Sequence, residues 1–269
     1  MSKLPILLLS CTLVSGFASA LVAPMTLRHD VEEAEYIEFG EQFPAVAHVG
    51  GMASGTLVAP QWVLTAAHAP EMLERMLRGK ALTVVLAGKE YEVDRVAYPK
   101  DRKPMGEVLD IALLHLSKPV GESIAPLAIY AGAVKLETEF VLAGYGVLAI
   151  GDKGVRVTPA LMQSPTRKLR AGWNTFERYD EKQSLLFARL NDPDTALELE
   201  AAPCVGDSGG PALVRVEATE SAPASWLVAG VIALSNDEDE NGIIGEYGES
   251  FGMTHVPSFA KWIAETLAE

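Results

Sequence analysis

Short apolar runs recur along the chain and are separated by glycines, prolines and polar turns. Repeated short runs of this kind are typical of antiparallel strands in a β-barrel or a β-sandwich. In the first half of the chain we predict strands at 45–49, 55–58, 62–66, 82–86, 90–97 and 111–116. In the second half we predict strands at 139–144, 184–190, 211–216, 225–233 and 250–256. The pattern therefore predicts an all-β protein.

Two segments have the spacing of a helix instead. Residues 70–78 carry apolar side chains three and four positions apart, and Gly79 follows them as a stop signal. Residues 257–268 begin with Pro257, which is favoured in the first helical turn. Their apolar residues lie on one helical face: Phe259, Trp262, Ile263 and Leu267. We therefore predict one helix among the early strands and another at the C-terminal end.

The composition narrows the class of protein and its partners. The chain has 269 residues, 49% of them hydrophobic, which is enough for one large domain or two fused barrels. Its formal net charge of -14 argues against nucleic acids and anionic membranes as partners. Beyond the N-terminal region, no apolar run is long enough to span a membrane. We expect a monomer that binds neither nucleic acid nor membrane.

The first twenty residues have the pattern of a secretory signal peptide. Lys3 supplies the positive end, a leucine-rich stretch follows, and Ala18-Ser19-Ala20 is a cleavage site of the Ala-x-Ala type. We expect residues 1–20 to be removed and the protein to be secreted or periplasmic. Cleavage there leaves Cys204 as the only cysteine, so we expect a buried thiol and no intramolecular disulfide.

Two short motifs and one acid carry the residue types that nucleophilic acyl transfer needs. The motifs are Thr65-Ala66-Ala67-His68 and Gly206-Asp207-Ser208-Gly209-Gly210-Pro211, and Asp110 lies between them before an apolar run. A serine hydroxyl becomes a strong nucleophile when a histidine takes its proton. A buried carboxylate must in turn hold that histidine in one tautomer.

In this order, 42 and then 98 residues apart, His68, Asp110 and Ser208 resemble the chymotrypsin-like (trypsin-fold) serine protease family. The resemblance implies two six-stranded antiparallel β-barrels followed by a C-terminal helix. It also implies an N-terminal segment at 21–42, a protease domain at 43–269 and a crossing between barrels near 117–130.

The resemblance assigns a role to each of these residues. Ser208 attacks the carbonyl carbon, His68 is the general base and then the general acid, and Asp110 orients His68. The backbone N–H groups of Gly206 and Ser208 form the oxyanion hole. We therefore expect a secreted serine endopeptidase that acts on proteins or peptides through an acyl-enzyme, with no cofactor and no metal. Two alternatives are a catalytically silent binding protein with the protease fold and an esterase for small acyl substrates.

The same resemblance locates the substrate pocket. Trypsin has an acid six residues before the nucleophile, and this chain has Ala202 at that position. Ala233, Leu234 and Ser235 correspond to one wall of the pocket. Without a carboxylate on the floor, we expect small or moderate apolar side chains before the scissile bond. Should Glu200 reach the floor, a preference for basic side chains would follow instead.

Activation departs from the family pattern, because the chain has no Arg/Lys-Ile-Val-Gly-Gly junction. In the family, the amine released by cleavage there pairs with the acid before the nucleophile, which is Asp207 here. We expect no such cleavage and a mature chain that begins at Leu21. The candidates for the cation beside Asp207 are the Leu21 amine, Arg28 and His29.

An acidic stretch near the C-terminal end repeats the first half of an EF-hand calcium loop. It runs from Asp237 to Ile244, but Gly248 stands where the bidentate glutamate of an EF-hand would be. We expect a solvated acidic loop, with a calcium site as the alternative.

Overall fold

The computed structural model describes residues 25–100, 102, 109–158, 161, 167–219 and 223–269. The predicted signal peptide and Leu21 therefore lie outside the described residues. Within them, most regular structure is β-strand, which confirms the predicted all-β class.

The first half of the chain forms a closed barrel of six strands, paired in the order β2-β3-β4-β7-β6-β5. The strands are β2 (Val46–Val49), β3 (Ala53–Ala59), β4 (Trp62–Thr65), β5 (Thr83–Leu86), β6 (Lys89–Ala97) and β7 (Ala112–Leu116). All six were predicted. Apolar side chains from several strands fill the interior, among them the fully buried Leu57, Val63, Val84 and Leu114. Closing the sheet into a barrel buries these side chains in its interior.

The second half forms an eight-stranded sheet in the order β11-β9-β15-β16-β17-β13-β12, with β8 parallel to β16. Its strands are β8 (Ala128–Ile129), β9 (Glu139–Gly144), β11 (Arg170–Thr175), β12 (Arg178–Asp180), β13 (Leu185–Arg189), β15 (Pro211–Val216), β16 (Ser225–Ser235) and β17 (Ser250–His255). This half-barrel differs from the predicted six-stranded barrel.

A side chain explains part of that difference. The amide of Asn174 in β11 donates hydrogen bonds of 2.9 Å to the carbonyls of Arg189 in β13 and of Ala201. These bonds join β11 to β13 where a closed barrel would have backbone pairing. Asn174 is fully buried, so its amide would be costly without these partners.

A third sheet has three short strands in the order β10-β1-β14. They are β1 (Met25–Leu27), β10 (Leu148–Ile150) and β14 (Ala201–Ala202). β1 is parallel to β10 and antiparallel to β14, and its three residues are fully buried. The N-terminal segment is therefore built into the second half of the molecule.

The helices whose bounds lie within the described residues are α1 (Glu33–Gly40), α2 (His68–Leu77) and α3 (Ala260–Leu267), and a 3₁₀ turn at Val256–Phe259 precedes α3. The predicted C-terminal helix is confirmed, with its first turn tightened at Pro257. Ile263 is 1% exposed and packs into the core shared by the two halves. No helix in the described ranges is both long enough and apolar enough to cross a bilayer.

Candidate active site

His68 and Asp110 are held together at one end of the first barrel. β4 ends at Thr65 and α2 begins at His68, while Asp110 lies two residues before β7. The Nδ1 atom of His68 is 2.6 Å from Oδ2 of Asp110, and the backbone N–H of His68 donates a 2.8 Å bond to Oδ1. Leu109 has a φ of 73°, a left-handed conformation that is unusual for leucine. This backbone turn directs Asp110 towards His68.

Charge couples the two side chains. Burial alone lowers the pKa of His68, but the charge and hydrogen bond of Asp110 outweigh it, so this pKa lies above its ordinary value. Burial alone raises the pKa of Asp110, but His68 holds it below its ordinary value. An ion pair between Arg102 and Glu71, 2.5 Å apart, lies near both groups. The pair is therefore arranged to keep the carboxylate charged and to make His68 a stronger base.

Ser208 lies in a glycine-rich loop between the two halves of the molecule. Gly206 and Gly209 on either side have φ values of 99° and 86°, where a side chain is strained. The Ser54 backbone N–H donates a 2.9 Å bond to the Ser208 carbonyl, and the Ser54 hydroxyl donates a 2.7 Å bond to the Gly206 carbonyl. Ser54 of the first barrel therefore fixes the loop that carries Ser208 in the second half.

The serine loop also touches the segment that ends at His68. A Cβ on Gly209 would lie 2.0 Å from Oγ1 of Thr65 and 2.9 Å from the backbone nitrogen of Ala66. A second contact joins the second half of the molecule to the first, since the Thr254 hydroxyl of β17 donates a 2.9 Å bond to the Asp110 carbonyl. The structure thus brings the two motifs and the acid to one boundary between the two halves. Ser208 is 6% exposed there.

Asp207 is fully buried next to the candidate nucleophile. Its Oδ1 accepts a 2.8 Å bond from the Gly146 backbone N–H, and its Oδ2 accepts a 3.0 Å bond from the Cys204 backbone N–H. Burial raises the pKa of Asp207 to about 6, although these bonds and two nearby guanidinium groups oppose the rise. A buried carboxylate of this kind favours a cation close by.

The two guanidinium groups belong to residues that the sequence analysis missed. Arg170 is 4% exposed, pairs with Glu33 of α1 and donates a 3.0 Å bond to the Gly146 carbonyl. Arg167 donates a 3.2 Å bond to the Val205 carbonyl. Nothing in the sequence around these arginines signals the role, because the contacts depend on how β11 returns to the sheet.

Two of the three candidates for the cation, Arg28 and His29, are engaged with other residues, and the third, the Leu21 amine, lies outside the described residues. Arg28 forms an ion pair with Asp30 at 2.7 Å, and the His29 ring lies 2.9 Å from the Tyr247 hydroxyl. The direction of β1 explains these contacts. Its first residue, Met25, lies near the Asp207 carboxylate, and the strand then leads away from that carboxylate towards Arg28 and His29.

Met25 is the residue of β1 that lies at Asp207. A Cβ placed on Gly146 would be 2.2 Å from Oδ2 of Asp207 and 2.6 Å from the backbone nitrogen of Met25. The nitrogen and the carboxylate therefore face the same side of Gly146 at short range. A Cβ on Gly144 would likewise lie 2.1 Å from Oδ1 of Asp207. The Gly-x-Gly spacing at 144–146 was thus a usable sequence signal for a close approach by another group.

The residues predicted to form the pocket belong to two strands, and one hydrogen bond connects the segments that carry them. Ala202 is in β14 and is 4% exposed, and Ala233, Leu234 and Ser235 end β16. The Ser235 hydroxyl donates a 3.2 Å bond to the Pro203 carbonyl, which joins the predicted wall to the predicted floor.

Phe251 is a further residue near this floor that the sequence analysis missed. It lies in β17, is 1% exposed and belongs to the same apolar cluster as Ala202. The surroundings of the floor are therefore apolar. Burial also raises the pKa of the Cys204 thiol well above its ordinary value, so this thiol is a poor nucleophile.

The carboxylate of Glu200 is engaged by the backbone, which argues against a basic preference through this residue. Its two carboxylate oxygens accept backbone bonds of 2.6 Å from Asn191 and 2.9 Å from Leu197. Glu200 is 1% exposed, so these bonds replace the water that its carboxylate loses. The residue holds the 191–197 loop in place.

Comparison with known proteins places the chain in a family. A sequence profile of the Trypsin family matches residues 32–263. Over 177 residues the chain is 28% identical to the venom plasminogen activator Haly-PA of Gloydius brevicauda, and the aligned region covers 60% of this chain and 62% of that protein. Over 220 residues it is 24% identical to trypsin-4 of Rattus norvegicus, which covers 80% and 79%. The chain thus spans less than two thirds of the venom activator.

Among solved structures, the fold is similar to that of neuropsin, a serine protease expressed in the limbic system of mouse brain. The TM-score is 0.59 at 18% identity, over 90% of this chain and 98% of neuropsin. This likeness supports the fold. Because the family profile covers most of the chain, the protein belongs to the trypsin family of serine proteases.

Proposed function

We propose that the protein is an active serine endopeptidase that cleaves peptide bonds through an acyl-enzyme on Ser208. The observation that carries the proposal is the double contact between His68 and Asp110 beside the loop that holds Ser208. A histidine fixed in this way has Nε2 left to take the serine proton, because Nδ1 is engaged by the carboxylate.

The chemistry follows in two steps. Ser208 Oγ attacks the carbonyl carbon, His68 takes the hydroxyl proton, and the same proton then goes to the departing amine. Water then attacks the acyl-enzyme, His68 takes the proton of the water and returns it to Ser208 Oγ, and the carboxylic acid product leaves. The backbone N–H groups of Gly206 and Ser208 are the proposed donors to the oxyanion, and the positive φ of Gly206 supports that assignment.

The proposed substrates are proteins or peptides with a small or moderate apolar side chain before the scissile bond. The apolar floor at Ala202 and the engaged carboxylate of Glu200 support this preference. We also propose that the protein is secreted, on the basis of the signal-like pattern at 1–20 and of relatives whose names describe venom proteins.

A fluorophosphonate probe tests the proposed activity, because it labels a serine only when that serine is activated. We expect the secreted protein to be labelled at Ser208 and the Ser208→Ala variant to stay unlabelled and uncleaving. Ser258→Ala, which changes an exposed serine of the 3₁₀ turn, is the matched control and should be labelled normally. No labelling of the unmodified protein would favour the silent binding protein. Labelling with cleavage of small esters but of no peptide would favour the esterase.

A further inference from the structure

The loop between β16 and β17 gathers three carboxylates at one point. Asp237, Asp239 and Glu249 each offer an oxygen, and the three oxygens lie within 4.8 Å of one another. Two oxygens that bind one calcium ion at about 2.3–2.6 Å can be up to about 5 Å apart. The spacing therefore suits a single ion bound between them.

Acidic clusters are common on protein surfaces, but Glu249 is not a surface residue. It is 9% exposed, and its Oε1 atom is buried without a hydrogen-bond partner in the described part of the chain. Its other oxygen, Oε2, accepts bonds of 2.6 and 3.0 Å from the backbone N–H groups of Gly245 and Glu246. One carboxylate oxygen is thus satisfied by the loop, while the second is buried in the same carboxylate group near Asp237 and Asp239 and has no hydrogen-bond donor among the described residues. A buried carboxylate oxygen in this state is costly unless a proton or a cation binds to it, and two further carboxylates beside it favour a cation.

The basic side chains around the loop are engaged with other atoms. Arg156 donates a 3.0 Å bond to the Asn241 carbonyl, and Arg189 donates a 2.5 Å bond to the Gly248 carbonyl. Arg189 also lies 3.7 Å from Glu238. These contacts brace the loop from outside. The carboxylates of Asp237 and Asp239 accept hydrogen bonds from the neutral groups of Asn241 and Gly242, so the described residues leave their negative charge uncompensated.

We propose that Asp237, Asp239 and Glu249 bind a calcium ion that stabilises the loop between β16 and β17. All three ligands are carboxylate oxygens, which hard divalent cations prefer, and the cluster has no histidine or cysteine to favour zinc. Calcium accepts irregular oxygen shells drawn from a flexible loop, whereas magnesium requires a near-octahedral one. The sequence had left calcium open as the alternative to a solvated loop. Gly248 stands at the position of the EF-hand glutamate, and the adjacent Glu249 supplies the third carboxylate instead.

The position of the loop gives the ion a structural consequence. The loop begins directly after Ser235 of the predicted pocket wall, and its Ile244 pairs with Val155. A Cβ on Gly245 would lie 2.1 Å from Oγ1 of Thr26, so the loop also presses on β1. Fixing the loop therefore stabilises the wall and the N-terminal strand together. The calcium site does not depend on the proposed catalytic activity.

Calorimetric titration and thermal melting test the site in the full secreted chain carrying Ser208→Ala, which prevents self-digestion. After treatment with EDTA, we expect calcium at about 100 times its Kd to raise Tm by roughly 5–10 °C. For an extracellular site, Kd should lie at or below about 1 mM. Magnesium at the same concentration should have much less effect.

Variants locate the ion. Asp239→Asn should weaken calcium binding by at least about tenfold, while Glu240→Gln, which removes an equal charge from the same loop, should leave binding unchanged. Glu249→Gln should abolish the response to calcium without lowering the Tm of the calcium-free protein, because it removes a buried charge. Should that variant fail to fold, the exposed Asp239 still supplies the test. An absent calcium response, an equal response to magnesium, or equal effects of Asp239→Asn and Glu240→Gln would each overturn the proposal.

Discussion

Two hydrogen bonds join His68 to Asp110, one from the histidine backbone at 2.8 Å and one at the Nδ1 atom of its ring at 2.6 Å. The backbone bond fixes the position of the carboxylate, and the ring bond fixes the orientation of the imidazole. A single carboxylate therefore sets both the geometry and the basicity of His68.

The first prediction follows from that basicity. Peptidase activity should rise with pH as His68 loses its proton, with a midpoint above 6.5, the ordinary pKa of histidine, because Asp110 raises the pKa of His68. Asp110→Asn should lower kcat by roughly 10⁴-fold, the loss known for another triad of this kind. It should also move the acid limb of the pH–rate profile to lower pH, because the charge that raises the histidine pKa is gone. Steady-state kinetics between pH 5 and 9 measure both effects.

Two further charged residues, Arg102 and Glu71, change the pKa of His68, and a variant of one of them provides a control for Asp110→Asn. Arg102 lowers the pKa of His68 and Glu71 raises it, and the two are paired with each other. Glu71→Gln should therefore shift the acid limb to lower pH by less than Asp110→Asn does, with a much smaller loss of kcat. An acid limb that stays in place in Asp110→Asn would contradict the assigned roles.

The second prediction concerns Gly209, where conformation and space both exclude a side chain. A Cβ there would meet Thr65 Oγ1 at 2.0 Å and the Ser54 carbonyl at 2.3 Å, in a backbone with φ of 86°. Gly209→Ala should lower the free energy of unfolding by roughly 2–5 kcal/mol, combining left-handed strain with overpacking. Chemical denaturation of the Ser208→Ala background measures this loss.

Gly88→Ala is the matched control for that substitution. Gly88 has a similar φ of 76°, but a Cβ there meets nothing within 4 Å. Its cost should be limited to the left-handed strain, about 1–2 kcal/mol. Equal losses in the two variants would mean that the contact between the serine loop and β4 is not tightly packed.

The regular part of the fold was predictable because short apolar runs bounded by glycines, prolines and polar turns mark strands that cover a core. All six strands of the first barrel and five of the second half follow that rule. The segment 170–180 showed no such pattern, yet it contains β11 and β12. β11 is held by the buried Arg170 and Asn174, whose polar groups are satisfied only by distant parts of the chain. A prediction that expects polar residues to be exposed cannot identify this strand, because its polar residues are buried.

Candidate site residues were predictable where the neighbouring residues in the sequence form a recognisable motif. The glycines around Ser208 and the histidine after β4 could be recognised from the sequence, because each of these positions requires one particular residue type. The surroundings of Asp207 do not, because Met25, Arg167 and Arg170 reach it from three separate segments. The closure of the second half by one asparagine amide was hidden for the same reason.

The third prediction tests the pocket. Peptides with Ala, Val or Leu before the scissile bond should be cleaved at least about tenfold faster than peptides with Lys or Arg, because a charge without a partner is costly in an apolar site. Ala202→Asp should shift the preference towards Lys and Arg, while Glu200→Gln should lower stability without changing the preference. A peptide library compared by kcat/KM gives both results. A wild-type preference for Arg and Lys, lost in Glu200→Gln, would show that Glu200 does reach the substrate.

The fourth prediction concerns the cation beside Asp207. Since burial raises the pKa of Asp207 to about 6, above the ordinary 3.8, its contribution to stability is present below about pH 4 and is lost as the pH rises through 6. At neutral pH a cation must offset that loss. The backbone nitrogen of Met25 is already at the carboxylate, so a chain that begins at Met25 would place its ammonium group there. We therefore expect the active enzyme to begin at Met25, rather than at Leu21 as the sequence suggested.

Two chains, released from a fusion so that one begins at Met25 and the other at Leu21, test this directly. The Met25 chain should react faster with the fluorophosphonate probe at pH 7, and its advantage should fade above about pH 8, where an α-amino group loses its proton. Acetylating the Met25 amine should abolish the advantage, because it removes the charge and leaves every side chain in place. N-terminal sequencing of the active protein from its natural source gives an independent result. A protein that begins at Leu21 and reacts as fast as the Met25 chain would show that Arg167 and Arg170 alone offset the buried charge.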